Sequence, residues 1–104
     1  GGRQLDGTIS SISALPPILD AVGDKCEVWI DGGIKTGQDI LRAVALGAQG
    51  TLIGRAFLYG LGANGKDGVT QTLEILQKEL DLTMGLCGKR NLADVDKSIL
   101  YQYQ

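Results

Sequence analysis

A chain of 104 residues, 43% apolar, can bury one core and has room for at most one domain. Its formal charge is -2, from 10 Lys and Arg against 12 Asp and Glu, with no basic run, which argues against a nucleic-acid partner held through phosphates. With no His, these residues hold neither a Ser-His-Asp nor a Cys-His nucleophile and no imidazole metal ligand. Cys26 and Cys87 make neither a CxxC nor a zinc spacing, so no metal site is expected; two free thiols in a reducing cytosol is the plain reading.

In chain order, residues 1–9 carry loop chemistry. A short helix follows between Ser10 and Val22, with its start placed near Pro16, because Pro suits a first helical turn. Leu15, Ile18, Leu19 and Val22 form its apolar face, and Gly23 is its cap. Glu27-Val28-Trp29-Ile30 reads as a strand that stops at Asp31-Gly32-Gly33. Thr36 is the N-cap of a second helix that runs to about Leu46, with Ile40, Leu41, Val44 and Ala45 on one face and Gly47 at its end. Gly50-Thr51-Leu52-Ile53 is a second strand, closed by Gly54-Arg55. Phe57, Leu58 and Tyr59 make a helical turn. The longest helix runs from Lys66 to about Met84, with Val69, Leu73, Leu76 and Leu80 as its stripe. Ala93, Val95 and Ile99 mark a weaker turn or two in the tail.

Helix, strand, helix, strand, helix with short connections predicts βαβ units on a parallel sheet. Two strands are too few to stand alone, since a parallel pair needs both faces and edges covered. A (β/α)8 barrel takes about 250 residues, and this length accommodates roughly three of its eight units. The expected fold is therefore α/β, the C-terminal part of a (β/α)8 TIM barrel, about strands 7 and 8 with flanking helices, over residues 1–104. The alternative is a small doubly wound sheet. Half a barrel leaves unpaired strand edges, so the chain by itself is expected to expose apolar surface and to aggregate, swap or stay molten.

Glycine is the informative excess: 16, where about seven would be ordinary for this length. Two glycine turns follow strand C-termini, the functional edge of parallel α/β folds. Asp31-Gly32-Gly33-Ile34-Lys35, with Thr36-Gly37 after it, joins backbone N–H groups, a cation and a helix start; Gly54-Arg55 repeats the kit one crossover later. Each piece alone is an ordinary turn or a solvated cation. Together they predict one phosphate site, which is neither a Walker A loop nor a GxGxxG fingerprint. Arg3, in the first loop, has the fork to clamp a carboxylate. Asp6 reads equally as a turn residue. Glu74, Glu79 and Asp81 read as a solvated helix face, and Trp29 as core or barrel packing. Tyr101 and Tyr103 carry no assigned role.

The motifs Gly1-Gly2-Arg3-Gln4-Leu5-Asp6, Asp31-Gly32-Gly33-Ile34-Lys35-Thr36-Gly37, Ala45-Leu46-Gly47-Ala48 and Ile53-Gly54-Arg55, in this order and spacing, resemble the FMN-dependent α-hydroxy-acid dehydrogenase/oxidase family. The resemblance covers nearly the whole chain, and Gly54-Arg55-Ala56-Phe57-Leu58-Tyr59 looks most like its lactate-dehydrogenase branch. It implies FMN as the cofactor and oxidation of an L-2-hydroxy acid to the 2-oxo acid. It implies that Arg3 binds the substrate carboxylate. Asp31, Gly32, Gly33, Ile34 and Lys35 would hold the FMN ribityl chain and phosphate, with Gly54 and Arg55 as the second phosphate loop. The remaining N-terminal half of the barrel would be the partner, in a tetramer-like homo-oligomer, cytoplasmic or peripheral to the inner membrane.

Two departures follow from the same resemblance. The family pattern places Ser-Asn-His before Gly-Gly-Arg, and its His is the catalytic base, so the chain is expected to lack the base and not to turn over alone. Lys35 stands where the family usually has Arg, which keeps the charge and loses the bidentate fork. A non-enzymatic phosphate- or FMN-binding half-barrel, and a sugar-phosphate isomerase or aldolase barrel, are the competing readings.

Overall fold

A computed structural model describes residues 2–101; Gly1 of the opening motif and residues 102–104, Tyr103 among them, lie outside that range. The elements run α1 (Ser11–Val22), β1 (Trp29–Ile30), α2 (Gly37–Leu46), β2 (Gly50–Thr51) and α3 (Arg55–Leu86), followed by short 3-10 turns at Leu92–Asp94 and Lys97–Ile99.

α1 begins five residues before the Pro pair rather than at it. Ser10 caps it: its Oγ accepts from the Ser13 N–H at 3.3 Å, and its carbonyl accepts from Ala14 at 3.0 Å. Pro16 and Pro17 lie inside the helix. Neither offers an N–H to the carbonyls four residues back, so two rungs of the ladder are missing. The cap and the burial of Leu15, 2% exposed, hold the first turn despite them. Gly23 does cap the C-terminus, but in right-handed backbone, donating to the Leu19 carbonyl.

The two strands pair in parallel, with Trp29 opposite Gly50 and Ile30 opposite Thr51. Gln49 N–H to the Val28 carbonyl and Leu52 N–H to the Ile30 carbonyl, both 2.9 Å, extend the match at each end. Glu27 falls outside the paired stretch. Strand alternation sends Val28 and Ile30 to one face and Trp29 to the other. Val28 and Ile30 join Leu15, Ala43 and Ala48 in a core between α1, the sheet and α2. Trp29 is 56% exposed and lies against Gly50, where a Cβ would sit 2.7 Å from the indole. Trp29 is thus no part of the core these residues build; its packing is confined to the open face of the sheet.

α2 carries apolar residues on both flanks. Ala43 faces the first core, while Leu41 and Ala45 join Met84 and Val95 in a second, with Leu80 and Ile99 packed against it. The tail turns therefore contribute real packing through Val95 and Ile99. α3 joins the two helical stretches expected at Phe57 and Lys66, and Asn64-Gly65 leave helical backbone angles where they meet. Beside that break Gly60 and Gly68 touch backbone to backbone, and a Cβ at Gly60 would lie 2.5 Å from the Gly68 carbonyl oxygen. Of the expected stripe, Leu76 is buried, but Leu73 is 52% exposed.

Candidate functional site

Because β1 and β2 are parallel, the loops after them emerge at one edge of the sheet. An open cleft of about 1520 Å³ lies there, and it is lined by Arg3, Asp31, Gly32, Gly33, Ile34, Lys35, Gly54 and Arg55 together. Three loops, as far apart in the chain as Arg3 and Arg55, thus meet at one place.

The loop after β1 is shaped by its own residues and by the start of α1. Asp31 Oδ1 accepts from the Gly32 N–H at 2.8 Å. Gly32 and Gly33 have φ of 97° and 78°, a left-handed path that a side chain would strain. Ser11 Oγ donates to the Gly32 carbonyl at 3.2 Å and so ties the turn to the start of α1. A Cβ at Gly33 or Gly54 would meet nothing within 4 Å, so the cleft is shaped by the lack of side chains there. Ile34 also lines the cleft but is 7% exposed, so its side chain is buried. In the first loop Asp6 Oδ1 accepts from the Gly7 N–H, the local turn role open to it.

The start of α2 differs from the sequence-based expectation. The sequence predicts free N–H groups beside Lys35, but carboxylates occupy them. Asp39 Oδ2 accepts from the Lys35 and Thr36 N–H groups, 3.1 Å each, and Thr36 Oγ1 accepts from the Asp39 N–H at 3.2 Å, a complete capping box. Glu79 Oε2, from α3, accepts from the Gly37 N–H at 2.8 Å. Glu79 is therefore not on a solvated face as expected, whereas Glu74 and Asp81 are exposed. Burial pushes the Asp39 carboxyl up, but hydrogen bonds from Lys35 and Thr36 and the Arg42 guanidinium, 3.3 Å away, outweigh it and leave it below its ordinary 3.8.

The start of α3 is open. Gly54 occupies its N-cap and supplies no side-chain acceptor or donor. Such a helix start presents N–H groups and a partial positive charge to an anion. Arg42–Asp39 is the ion pair formed among the described residues, so Lys35 and Arg55 enter the cleft without a carboxylate partner. The arrangement suits a dianionic phosphate: two cations, left-handed glycine backbone and an uncapped helix. Residues missed by sequence reasoning are Asp39, Glu79 and Ser11. The Thr36-x-x-Asp39 spacing was a legible cue for the first; Glu79 and Ser11 bond to partners 42 and 21 positions away and leave no local mark.

A parallel α/β unit with an anion-receptive cleft at its C-terminal strand edge defines the class. Within that class, the model of the FMN-dependent dehydrogenase family matches residues 1–102, and the chain belongs to that family. It is 53% identical over 100 residues to an L-lactate dehydrogenase of Caulobacter vibrioides, which covers 96% of this chain and 26% of that protein. It is 52% identical over 101 residues to an L-lactate oxidase of Nostoc sp., covering 97% of this chain and 28% of the relative. Among solved structures, an oxidised active mutant of (S)-mandelate dehydrogenase superposes with a TM-score of 0.92 at 39% identity, over 99% of this chain and 29% of that one. The chain thus spans about a quarter of the length of the curated relatives it matches. Family membership sets aside the sugar-phosphate isomerase or aldolase reading.

Proposed function

We propose that these residues form the C-terminal part of a (β/α)8 barrel, about strands 7 and 8 with their helices, in an FMN-dependent oxidoreductase that converts an L-2-hydroxy acid to the 2-oxo acid. The observation that carries this reading is the convergence of Arg3, the Asp31–Lys35 loop and Gly54-Arg55 on one cleft at the strand C-terminal edge. Relatives that are L-lactate dehydrogenases and oxidases agree with it.

The residues present fit FMN. Gly33 and Gly54 leave space that a Cβ would fill, the start of α3 is uncapped, and Lys35 and Arg55 have charge to spare. Lys35, Arg55 and the backbone of Gly33 and Gly54 would hold the phosphate, and Asp31 would keep the Gly32 turn in shape. The bound flavin would supply two-electron redox chemistry. Arg3 would fix the substrate carboxylate with two parallel N–H bonds and so orient the carbon to be oxidised. The chain holds no His, so the family's proton-accepting imidazole would come from elsewhere in the parent protein. The rest of the barrel would also cover Trp29, Leu52 and Leu58, each at least half exposed here.

The test uses the full-length protein that carries this segment. It should purify with bound FMN, and L-lactate should bleach the flavin absorbance in the absence of oxygen. Arg3→Ala should raise KM for the hydroxy acid by about a hundredfold, the value of a lost charge-assisted bidentate contact. A flavin-free protein, or a flavin that no 2-hydroxy acid reduces, overturns the reading; an unchanged KM removes Arg3 from it.

A further inference from the structure

We propose that Glu79 is a positioning residue of the phosphate site, holding the Gly32–Lys35 loop in register with the start of α3; this rests on the phosphate reading above. Glu79 lies on the second stretch of α3, beyond the Asn64-Gly65 break, and the backbone contact between Gly60 and Gly68 ties that stretch to the one that begins with Arg55. Its carboxylate crosses to α2 and accepts from the Gly37 N–H at 2.8 Å. Gly37 is buried, and a Cβ there would lie 2.6 Å from the Glu79 carbonyl carbon and run into the Leu80 backbone nitrogen. The start of α2 therefore rests directly on the α3 backbone, with the carboxylate folded over its end. A charge-assisted bond to a partly buried N–H is among the stronger hydrogen bonds available.

Asp39 completes the arrangement from the other side by accepting from Lys35 and Thr36. Three successive backbone donors, at Lys35, Thr36 and Gly37, are thus fixed by carboxylates from two elements. This has two consequences for an anion. The helix end nearest Lys35 carries negative charge, so a phosphate is turned away from α2 and toward Arg55 and the open start of α3. The loop bearing Gly33 and Lys35 is also pinned to the second stretch of α3, and the Gly60–Gly68 contact across the break carries that anchor to the stretch bearing Arg55, so both halves of the site keep a fixed separation.

The experiment measures dissociation constants for FMN and for riboflavin, which lacks the phosphate, on flavin-stripped full-length protein, with a thermal melt of each variant. Wild-type protein should prefer FMN. Glu79→Leu should cut that preference about tenfold while riboflavin binding stays within about twofold, as expected for one lost charge-assisted bond acting on the phosphate alone. Glu79→Gln, whose amide oxygen still accepts from Gly37, should retain the preference within about threefold. If the Leu variant does not fold, Glu79→Asp, one methylene short of Gly37, should show the same loss. An unchanged preference, or equal weakening of both flavins alongside a lowered melt, overturns the positioning role. A wild-type protein with no preference for FMN overturns the phosphate reading, and this role with it.

Discussion

Two helices begin beside the same cleft, and they begin differently. α2 starts behind Thr36 with its donors taken by Thr36, Asp39 and Glu79. α3 starts at Gly54 with no side-chain cap at all. Both follow a parallel strand, both are preceded by glycine, and both carry a cation beside the turn. A capped start stabilises its own helix; an uncapped one leaves its N–H groups and partial charge for a ligand. The difference assigns α2 to holding the loop and α3 to receiving the anion.

The largest expected effect breaks the α2 side. Gly37→Ala has no room for its methyl against the Glu79-Leu80 backbone, and should cost about 3 kcal/mol of stability, as overpacking a tight contact does; a denaturant titration of the full-length protein measures it. Next, Arg55→Ala should weaken FMN about thirtyfold through loss of a charged contact to phosphate, with little change in melting of the flavin-free protein. Removing the cap with Thr36→Ala should cost about 1 kcal/mol and move FMN affinity less than Arg55→Ala does.

The pH dependence follows the sign of the Asp39 shift. Its folded carboxyl sits below its ordinary 3.8. Its contribution is therefore present above that value and fades as pH falls through the folded pKa. Asp39→Asn should flatten this part of the acid limb of a stability–pH curve; an unchanged curve would remove Asp39 from it. The smallest effect should come from Lys35→Arg, which restores a planar fork at a position that already carries charge and should tighten FMN by a factor of about three.

Much of this arrangement was readable from residue order. The strand–turn–helix alternation, Thr36 and Gly47 at the ends of α2, and the meeting of the Asp31–Lys35 and Gly54-Arg55 loops all follow from local pattern and parallel topology. What was not readable depended on distant partners. Pro16 and Pro17 signalled a helix start, yet burial of Leu15 and the Ser10 cap carried α1 five residues further back. Glu79 sits among Glu74 and Asp81 with the same charge and the same helix, and only tertiary packing singles it out by bringing Gly37 within reach. Trp29 reads as core or barrel packing from its place in mid-strand; it is no part of the core these residues build, and its face of the sheet lies open in them.

The most direct measurement is a crystal structure of the full-length protein with FMN bound. The phosphate should lie within about 3 Å of the Gly54 or Arg55 backbone N–H and of the Arg55 and Lys35 side chains, the distance of a charge-assisted hydrogen bond, with Gly37 still donating to Glu79. A phosphate seated on the Gly37 N–H with Glu79 displaced, or one outside the cleft altogether, would contradict it.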